Sequence, residues 1–463
     1  METTEQQRTE ARPTSGLALV VICLGYFMVI VDTTAVNVAL PSIGRDLHSG
    51  IAGLQWVVDA YTLSFAALLL TGGTLAERLG GKRVFGSGLA VFAAASAACG
   101  LAPVLWVLLT ARVVQGAGAA LLVPSSLVLL QAAYPTRAGR ARAFGAWGAI
   151  AGIGAASGPI VGGLLVTGWS WRGVFFLNLP FALAAMAFAV RSVPGTERRT
   201  RAIDLPGQLL SIAGLGFLTG ALVEAGRLGW TSPLILAGLG LSAAAWAGFA
   251  AAEHVAADPM LPLRLLTRPA FRSGSAVGLL INLGFYGQLF LMSLYFQDIR
   301  GYSALGTGLA LLPEAALLTV ASAVSGRVMA RTGPRWPMLA GLLLGGAGLL
   351  SLAVAGTRTS YWLLAVPLAA AGFGMALTMP AATAAVIEGA PADRGGIASG
   401  VINAARQAGG VLGVALLGSL VHAQAAFIPG LHTGLIFAAA AFATAAIITY
   451  YGIDRRVASS AGS

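Results

Sequence analysis

A single acidic residue, Asp32, interrupts the first long apolar run of the chain. Residues 17 to 31 carry no charge, and apolar residues resume within the stretch MVIVDTTAVNVALP, which runs from Met28 to Pro41. A charge in hydrocarbon costs at least about 2.5 kcal/mol. Burial disfavours the charged form of a carboxyl group, so such a group can bind and release a proton near neutral pH. The position therefore predicts a proton-binding group, and a structural aspartate bonded to a neighbouring Thr or amide is the alternative.

Five further ionisable residues stand inside apolar runs, where each must find a partner or reach water. Glu314 follows Pro313 and is predicted to be a second proton site or a contact for a cationic substrate, unless it reaches the outer interface. Asp59 and Arg406 present a similar choice between a secondary proton or substrate site and a structural role. Glu224 ends its run and is also a candidate secondary proton or substrate site. The alternative is that it simply contacts water on the outer side. The five are Asp59, Arg112, Glu224, Glu314 and Arg406.

Bond-making chemistry has no counterpart in the residue pattern. The four histidines lie near predicted loops, and the sequence contains neither a P-loop nor a Ser/His/Asp or H-E-x-x-H arrangement. The two cysteines, Cys23 and Cys99, lie in apolar runs without metal-ligand spacing. We therefore predict no enzyme activity, no metal and no cofactor. Aromatic side chains can stack on a bound molecule, and we select Trp56 and Tyr286 for this role, with ordinary packing as the alternative.

The elements that position these residues follow from composition. Of the 463 residues, 57% are hydrophobic and only 10% are charged, whereas soluble domains are about one quarter charged. The chain is therefore predicted to be an all-α membrane protein in contact with the lipid bilayer. The net charge of +11 falls in short clusters between apolar runs, which indicates membrane topology and not nucleic-acid binding.

Fourteen apolar runs are long enough to cross a bilayer as helices of about 20 residues. Their predicted ranges are 17–39, 54–75, 84–101, 104–131, 142–167, 172–191, 205–224, 232–252, 272–297, 305–329, 337–356, 361–387, 397–421 and 433–453. The first run follows a polar N-terminal stretch and lacks a cleavage site, so we interpret it as a retained helix.

Basic residues alternate strongly between the loops on the two sides of the membrane. Loops rich in Arg and Lys stay in the cytoplasm, so both termini are predicted to be cytoplasmic, which requires an even number of spans. The rich loops carry Arg78, Lys82 and Arg83; Arg137, Arg140 and Arg142; Arg198, Arg199 and Arg201; Arg264, Arg268 and Arg272; Arg327, Arg331 and Arg335; and Arg455 and Arg456. The other loops carry one each: Arg45, Arg172, Arg227, Arg300 and Arg358.

The sequence also repeats itself. The segment GAGAALLVP, from Gly116, recurs as GFGMALTMP from Gly372, and GTLAERLGGKR, from Gly73, has a degenerate echo, GRVMARTGPR, from Gly326. We therefore predict two pseudo-symmetric six-helix bundles, residues 1–200 and 265–463, with two additional helices in residues 201–264. Repeated membrane halves are typical of secondary transporters, whose substrate site lies at the repeat interface near the midplane.

Five segments resemble the 14-helix drug:proton antiporters of the major facilitator superfamily. VDTTAVNVALP is similar to the first-helix signature, GTLAERLGGKR to the motif between helices two and three, and RVVQGAGAALLVP to the helix-four motif. GIGAASGPIVGG resembles the antiporter motif of helix five, and WSWRGVFFLNLP resembles the start of helix six. Within that family, VEAGRLGW and NAARQAGG resemble exporters of the methylenomycin A resistance type. These motifs specify no substrate.

The resemblance implies roles for matching residues. It implies proton coupling by Asp32 and Arg112, with Arg112 tuning the acid; a helix-locking ion pair is the alternative for Arg112. Glycines at i, i+4 and i+8 of the helix-five motif allow another backbone to approach closely, while its proline favours a kink. That motif comprises Gly154, Gly158, Pro159, Gly162 and Gly163.

The turn between runs two and three is implied to be a gate that latches one conformation. Its residues are Gly73, Glu77, Arg78, Gly80, Lys82 and Arg83. The sequence departs from the family pattern at Glu77, where an Asp is usual, and at Gly81, where a basic residue is usual. The longer acid shifts its carboxylate by about one methylene relative to that pattern.

Together these features predict a monomeric, proton-coupled efflux antiporter of the bacterial inner membrane that works by alternating access. Its partners are a small amphiphilic drug or antibiotic and protons, and the proton gradient drives it without a cofactor. Two alternatives stay open: a proton-coupled importer of a small metabolite, and a lipid translocase on the same fold. The glycine-proline signature of run five argues against the importer, since by resemblance importers generally lack it.

Overall fold

The computed structural model of the protein describes residues 16–134, 136–193, 195–196, 204–256, 259–391, 395–424 and 426–454. Over these ranges the regular secondary structure is helical, and no strand is present. The all-α fold predicted from composition is therefore confirmed.

The described residues up to position 256 form nine α-helices. They are α1 (Gly16–Asp46), α2 (Ile51–Leu79), α3 (Gly81–Gly100), α4 (Leu105–Ala133), α5 (Arg137–Gly168), α6 (Arg172–Phe176), α7 (Asn178–Ser192), α8 (Leu205–Leu228) and α9 (Pro233–Val255). Helix α1 continues through Pro41, beyond its predicted end at residue 39. The predicted sixth span is divided into α6 and α7.

From residue 259 onward the described chain forms seven more α-helices. They are α10 (Pro269–Leu294), α11 (Ala304–Ala310), α12 (Leu312–Thr332), α13 (Arg335–Ser351), α14 (Tyr361–Gly389), α15 (Gly395–His422) and α16 (Phe427–Gly452). A π-helical turn, Tyr295–Ile299, extends α10. A short 3₁₀ helix, Leu263–Thr267, precedes it.

Among the described residues, thirteen helical stretches are long and apolar enough to cross a membrane, and the number is fourteen when a bent pair of helices is counted as one span. The pair consists of α11 and α12, which meet at 46°. Pro313 stands in the first turn of α12 and has no N–H to continue the hydrogen bonding across the break. Counted in this way, each of the fourteen spans overlaps one of the fourteen predicted runs, with ends that differ by up to seven residues.

The helix pairs of the first six spans recur in the last six. Helix α1 packs on α5 as α10 packs on α15, α2 packs on α4 as α12 packs on α14, and α3 packs on α4 as α13 packs on α14. Between the two sets, α2 packs on α15, and α5 packs on α11 and α12. Helix α8 packs on α2, α15 and α9, so the additional pair of spans lies beside the α2–α15 contact.

Consecutive spans run in opposite directions and define two faces. We name the N-terminal face as the end at which α1 begins, and the distal face as the end at which α1 finishes and α2 begins. The described members of the basic clusters lie at helix ends on the N-terminal face. Arg198, Arg199, Arg201, Arg455 and Arg456 lie outside the described residues.

Candidate functional site: a buried ion pair beside a central cavity

Asp32 is completely buried in the middle of α1 and accepts hydrogen bonds from three side chains on other helices. Arg112 Nη1 donates to Asp32 Oδ2 at 2.5 Å, while Gln115 Nε2 and Asn178 Nδ2 donate to Oδ1 at 2.9 and 3.0 Å. Both amides also donate to Ser96 Oγ, at 2.9 and 3.3 Å. These donors, together with the guanidinium charge, compensate a carboxylate that has no contact with water.

Arg112 is equally enclosed, with 1% of its surface exposed. Besides Asp32, its Nε donates to the Val57 carbonyl oxygen at 2.9 Å, and its Nη1 donates to Gln115 Oε1 at 2.7 Å. The guanidinium carbon lies 4.2 Å from the centre of the Tyr61 ring, in cation–π geometry. The pair thus ties α1, α2 and α4 together, and the coupling role predicted for Asp32 and Arg112 stays a prediction.

Three members of this network were not selected from the sequence: Ser96, Gln115 and Asn178. Uncharged polar residues are common in helices, so each is weak evidence taken alone. Gln115 and Asn178 do, however, fall inside RVVQGAGAALLVP and WSWRGVFFLNLP, two of the segments that carry the family resemblance, and that position was the available signal.

A central cavity of about 180 Å³ lies between α1, α5, α10, α12, α14 and α15. Its wall is mostly apolar and includes the aromatic rings and methionines Tyr26, Phe285, Tyr286, Met375 and Met379. Toward the N-terminal face, Gly148 and Ser322 are exposed. Toward the distal face, Leu311 is 1% exposed and ends the cavity. The cavity therefore opens toward the N-terminal face and is closed toward the distal face.

Glu314 and Arg406, two of the predicted secondary sites, both line this central cavity. Glu314 is 2% exposed, and its Oε2 accepts a long hydrogen bond of 3.3 Å from Gln288 Nε2. Arg406 donates from Nη1 to Asn403 Oδ1 at 3.2 Å. Tyr286 also lines this cavity, because α10 faces the contact between the two sets of spans, and its contact with a substrate stays a prediction.

Trp56 and Glu224 do not line the central cavity. The Trp56 ring lies against Gly220 of α8, so the assignment of Trp56 to the substrate cavity is not matched by its position. Glu224 pairs with Arg227 at 2.8 Å, and their side chains are 29% and 58% exposed. An exposed pair three residues apart on a helix is a surface contact, so Glu224 is placed apart from the other predicted sites.

Asp59, unlike Asp32, has no hydrogen-bond partner among the described residues. It is fully buried on α2, and neither carboxyl oxygen has a hydrogen-bond partner within the described part of the chain. Helical spacing puts it on the same side of α2 as Gln55 and Thr62, the side that faces α15. An ionised carboxylate without a partner costs several kcal/mol, so this geometry suits the neutral acid.

The small residues of the α5 motif allow close contacts with both sets of spans. A Cβ on Gly158 would overlap Thr34 Oγ1 of α1, so α1 and α5 cross at backbone distance there. On another side of α5, a Cβ on Gly308 of α11 would overlap the Pro159 carbonyl oxygen. Gly154 and Gly162 also face α1, and Gly163 faces α11.

The predicted gating turn lies at the N-terminal face between α2 and α3. Gly80 has a φ of +93°, a conformation that glycine adopts without strain. The Gly81 N–H donates to Thr196 Oγ1 at 2.7 Å. Glu77 lines a second cavity of about 160 Å³ between α2, α4 and α15, together with Gln131 and Asn403.

The other residues of this turn also lie at the N-terminal face. Gly73 lines the second cavity, Lys82 is half-buried, and Arg78 and Arg83 are exposed. Their gating role stays a prediction.

Polar contacts between the first six and the last six spans close the distal face. Gln55 Nε2 donates to the carbonyl oxygens of Val414 and Ala415 at 3.0 and 2.7 Å. Gln297 Nε2 donates to the Val38 carbonyl oxygen at 2.9 Å. Two further contacts are the Leu305 N–H to Thr167 Oγ1 at 3.2 Å, and Arg45 Nη1 to Asp298 Oδ1 at 3.8 Å.

Comparison with known proteins identifies the family. The family model of the Major Facilitator Superfamily matches residues 22–414. The chain is 39% identical over 408 residues to a methylenomycin A resistance protein of Streptomyces coelicolor, covering 88% of this chain and 86% of that protein. It is 39% identical over 411 residues to the multidrug resistance protein Stp of Mycobacterium tuberculosis, covering 89% and 76%.

Other similarities extend to an exporter and to solved structures. The tetracenomycin C resistance and export protein of Streptomyces glaucescens is 34% identical over 418 residues, covering 88% of this chain and 77% of that protein. A POT family transporter bound to a conjugated peptide superposes with a TM-score of 0.72 at 15% identity, covering 94% of each chain. At this identity the structural match shows the fold alone.

Proposed function

Since the chain belongs to the major facilitator superfamily, we propose that it is a proton-coupled efflux antiporter that exports a small amphiphilic drug or antibiotic by alternating access. One observation carries this proposal: a central cavity open toward one face and closed toward the other lies beside the fully buried Asp32–Arg112 pair. The names of the relatives, which include resistance and export proteins, support a drug or antibiotic as the substrate.

The proposal divides the chain into bundles of residues 1–200 and 265–463, with residues 201–264 as two additional helices. The recurrence of the same helix pairs in the first and last six spans supports this division. The basic clusters at the N-terminal face support a cytoplasmic location for that face. The cavity then opens to the cytoplasm of a bacterial cell and takes up its substrate there.

The energy available from one proton matches the contact that it would disturb. A proton that moves down 100 mV releases about 2.3 kcal/mol, and each pH unit adds about 1.4 kcal/mol. Breaking a buried ion pair costs about 3–5 kcal/mol. Protonation of Asp32 would remove its charge and release Arg112, so one proton is sufficient to switch the pair. The proposal includes no cofactor, no bond-making chemistry and a monomeric protein.

Drug susceptibility in an efflux-deficient bacterial host tests the proposal. Wild-type protein is expected to raise resistance to at least one compound in a panel of cationic dyes and neutral antibiotics. Asp32→Asn keeps the shape of the side chain but cannot bind a proton, and is expected to lower resistance to that of the empty vector. Glu224→Gln serves as the control, because it also neutralises one acid but lies outside the cavity and the buried pair.

Matched membrane expression of all three variants makes the comparison meaningful. Resistance retained by Asp32→Asn would remove the coupling role from this carboxylate. Loss of resistance in Glu224→Gln as well would show that the assay responds to any lost acid. Accumulation of the same compound in wild-type cells, instead of its exclusion, would favour the importer.

A further inference from the structure

Two side chains of opposite charge type, a carboxyl group and a guanidinium, face the central cavity without pairing with each other. Glu314 reaches it from α12 and Arg406 from α15, and none of the other residues that line it is acidic or basic. Within the described residues, no ion pair joins the two side chains. Because the carboxyl group and the guanidinium do not pair with each other, each is available to a ligand.

Each of the two side chains also has an unused polar atom. Glu314 Oε1 and Arg406 Nε are buried and have no hydrogen-bond partner among the described residues. Gln288 and Asn403 satisfy only one other atom on each side chain. Buried polar atoms without partners are costly, and a ligand with complementary groups would remove that cost.

The two charges lie at different depths. Glu314 is eighteen residues from the end of α12 at the N-terminal face, and Arg406 is eleven residues from the start of α15 at the same face. Seven residues at 1.5 Å each separate them by roughly 10 Å along the helix axes. The wall between them carries the rings of Tyr286 and Phe285, which suit a flat apolar body.

We infer that the central cavity selects a dipolar amphiphile, whose cationic end is held by Glu314 and whose anionic end, about 10 Å away, is held by Arg406. This inference rests on the proposed export function and names the substrate class of the same site. An α-amino acid does not fit, because its charges are adjacent. A molecule with an amine and a carboxylate at opposite ends of an aromatic body does fit.

Binding of four forms of one fluorescent scaffold to the purified protein tests the inference. The forms are 6-(aminomethyl)-2-naphthoate, its methyl ester, its N-acetyl derivative and its N-acetyl methyl ester, which are dipolar, cationic, anionic and neutral. The dipolar form is expected to bind at least about tenfold more tightly than the neutral form, since each buried charge contact contributes substantially. 2-Naphthylalanine, with adjacent charges, is expected to lose most of this advantage.

Two variants assign the two ends of the ligand. Glu314→Gln is expected to remove the preference for the cationic over the neutral form and to keep the preference for the anionic form. Arg406→Gln is expected to do the reverse, so the preference that each variant retains shows that it is folded. Glu224→Gln and Arg227→Gln, on the surface pair, are expected to leave all ratios unchanged.

Equal binding of the dipolar and neutral forms, or binding of none of the four, would overturn the inference. The inference is also overturned if Glu314→Gln and Arg406→Gln both bind the four forms with the same relative affinities as the wild type. These results are independent of the susceptibility assay: a protein that confers drug resistance without discriminating the four forms keeps the proposed function and loses this inference.

Discussion

Replacing both members of the Asp32–Arg112 pair is expected to destabilise the protein less than the two single replacements combined. Asp32→Asn leaves a guanidinium with 1% exposure, and Arg112→Gln leaves a carboxylate with none. Removing one partner of a buried pair costs about 3–5 kcal/mol. Each survivor keeps neutral partners, namely Gln115 and Val57 for Arg112, and Gln115 and Asn178 for Asp32. We therefore expect the lower end, about 3 kcal/mol, for each single variant.

The double variant has no buried charge left at this position. Two amides can replace the charged hydrogen bond with a neutral one, so we expect a cost of about 2 kcal/mol, the net value of one or two hydrogen bonds. Additive single effects would instead give about 6 kcal/mol. The difference, a coupling energy of about 4 kcal/mol, measures the interaction of the two charges.

Equilibrium unfolding in mixed micelles of increasing SDS content gives the free energies for this cycle. The exposed pair Glu224–Arg227 provides the matched control, because its geometry is similarly close at 2.8 Å but its side chains are 29% and 58% exposed. We expect coupling of at most about 0.5 kcal/mol there. A double variant of Asp32 and Arg112 that costs the sum of the singles would refute the reasoning that burial makes this pair interdependent.

Two further outcomes follow from the contacts around the interface. Asp59→Asn is expected to change the free energy of unfolding by no more than about 1 kcal/mol, because a neutral amide replaces a carboxyl group whose charged form has no partner. A loss of unfolding free energy as large as that of Asp32→Asn would contradict this expectation. Gly308→Ala is expected to force the distal face open, since its Cβ would overlap the Pro159 carbonyl oxygen. A membrane-impermeant maleimide should then label Leu311→Cys, whereas the control Gly306→Ala should leave it unlabelled.

The fourteen spans could be predicted from the sequence because hydrocarbon imposes a minimum length of apolar helix. The link between Asp32 and Arg112 was implied by the family resemblance, and the cost of an isolated charge in hydrocarbon explains why the two side chains pair. The sequence could not show that Asp59 lacks a partner. That result depends on which side chains of α15 lie opposite α2. The rotation of a helix about its axis cannot be predicted from composition.

The packing of Trp56 against α8 could not be predicted from the sequence for a related reason. An aromatic residue near an acid fits a cavity wall and a helix contact equally well, and only the packing of α8 on α2 decides between them. The pairing of Glu224 with Arg227 could be anticipated from the sequence, because Arg227 follows at i+3 and that spacing indicates a local surface pair. The acidic Glu314 and the basic Arg406 were both selected from the sequence. Only the fold shows that the two side chains line the same cavity.

The energy of the distal closure limits how the proposed cycle can work. Four neutral hydrogen bonds, from Gln55, Gln297 and Leu305, cross that face, and at about 1 kcal/mol each they contribute about 4 kcal/mol. The Arg45–Asp298 contact, with side chains 65% and 46% exposed, adds at most about 1 kcal/mol. One proton across 100 mV and one pH unit supplies about 3.7 kcal/mol, which is less than the about 4 to 5 kcal/mol of this closure and well below the closure and the buried pair together. Opening of the distal face must therefore be offset by new contacts at the N-terminal face, where the two cavities of about 180 and 160 Å³ leave room for α5 to approach α12 and for α2 to approach α15. The recurrent packing of those helices gives the two closures equivalent partners, so the exchange of faces is close to balanced, and the proton is needed only to separate Asp32 from Arg112.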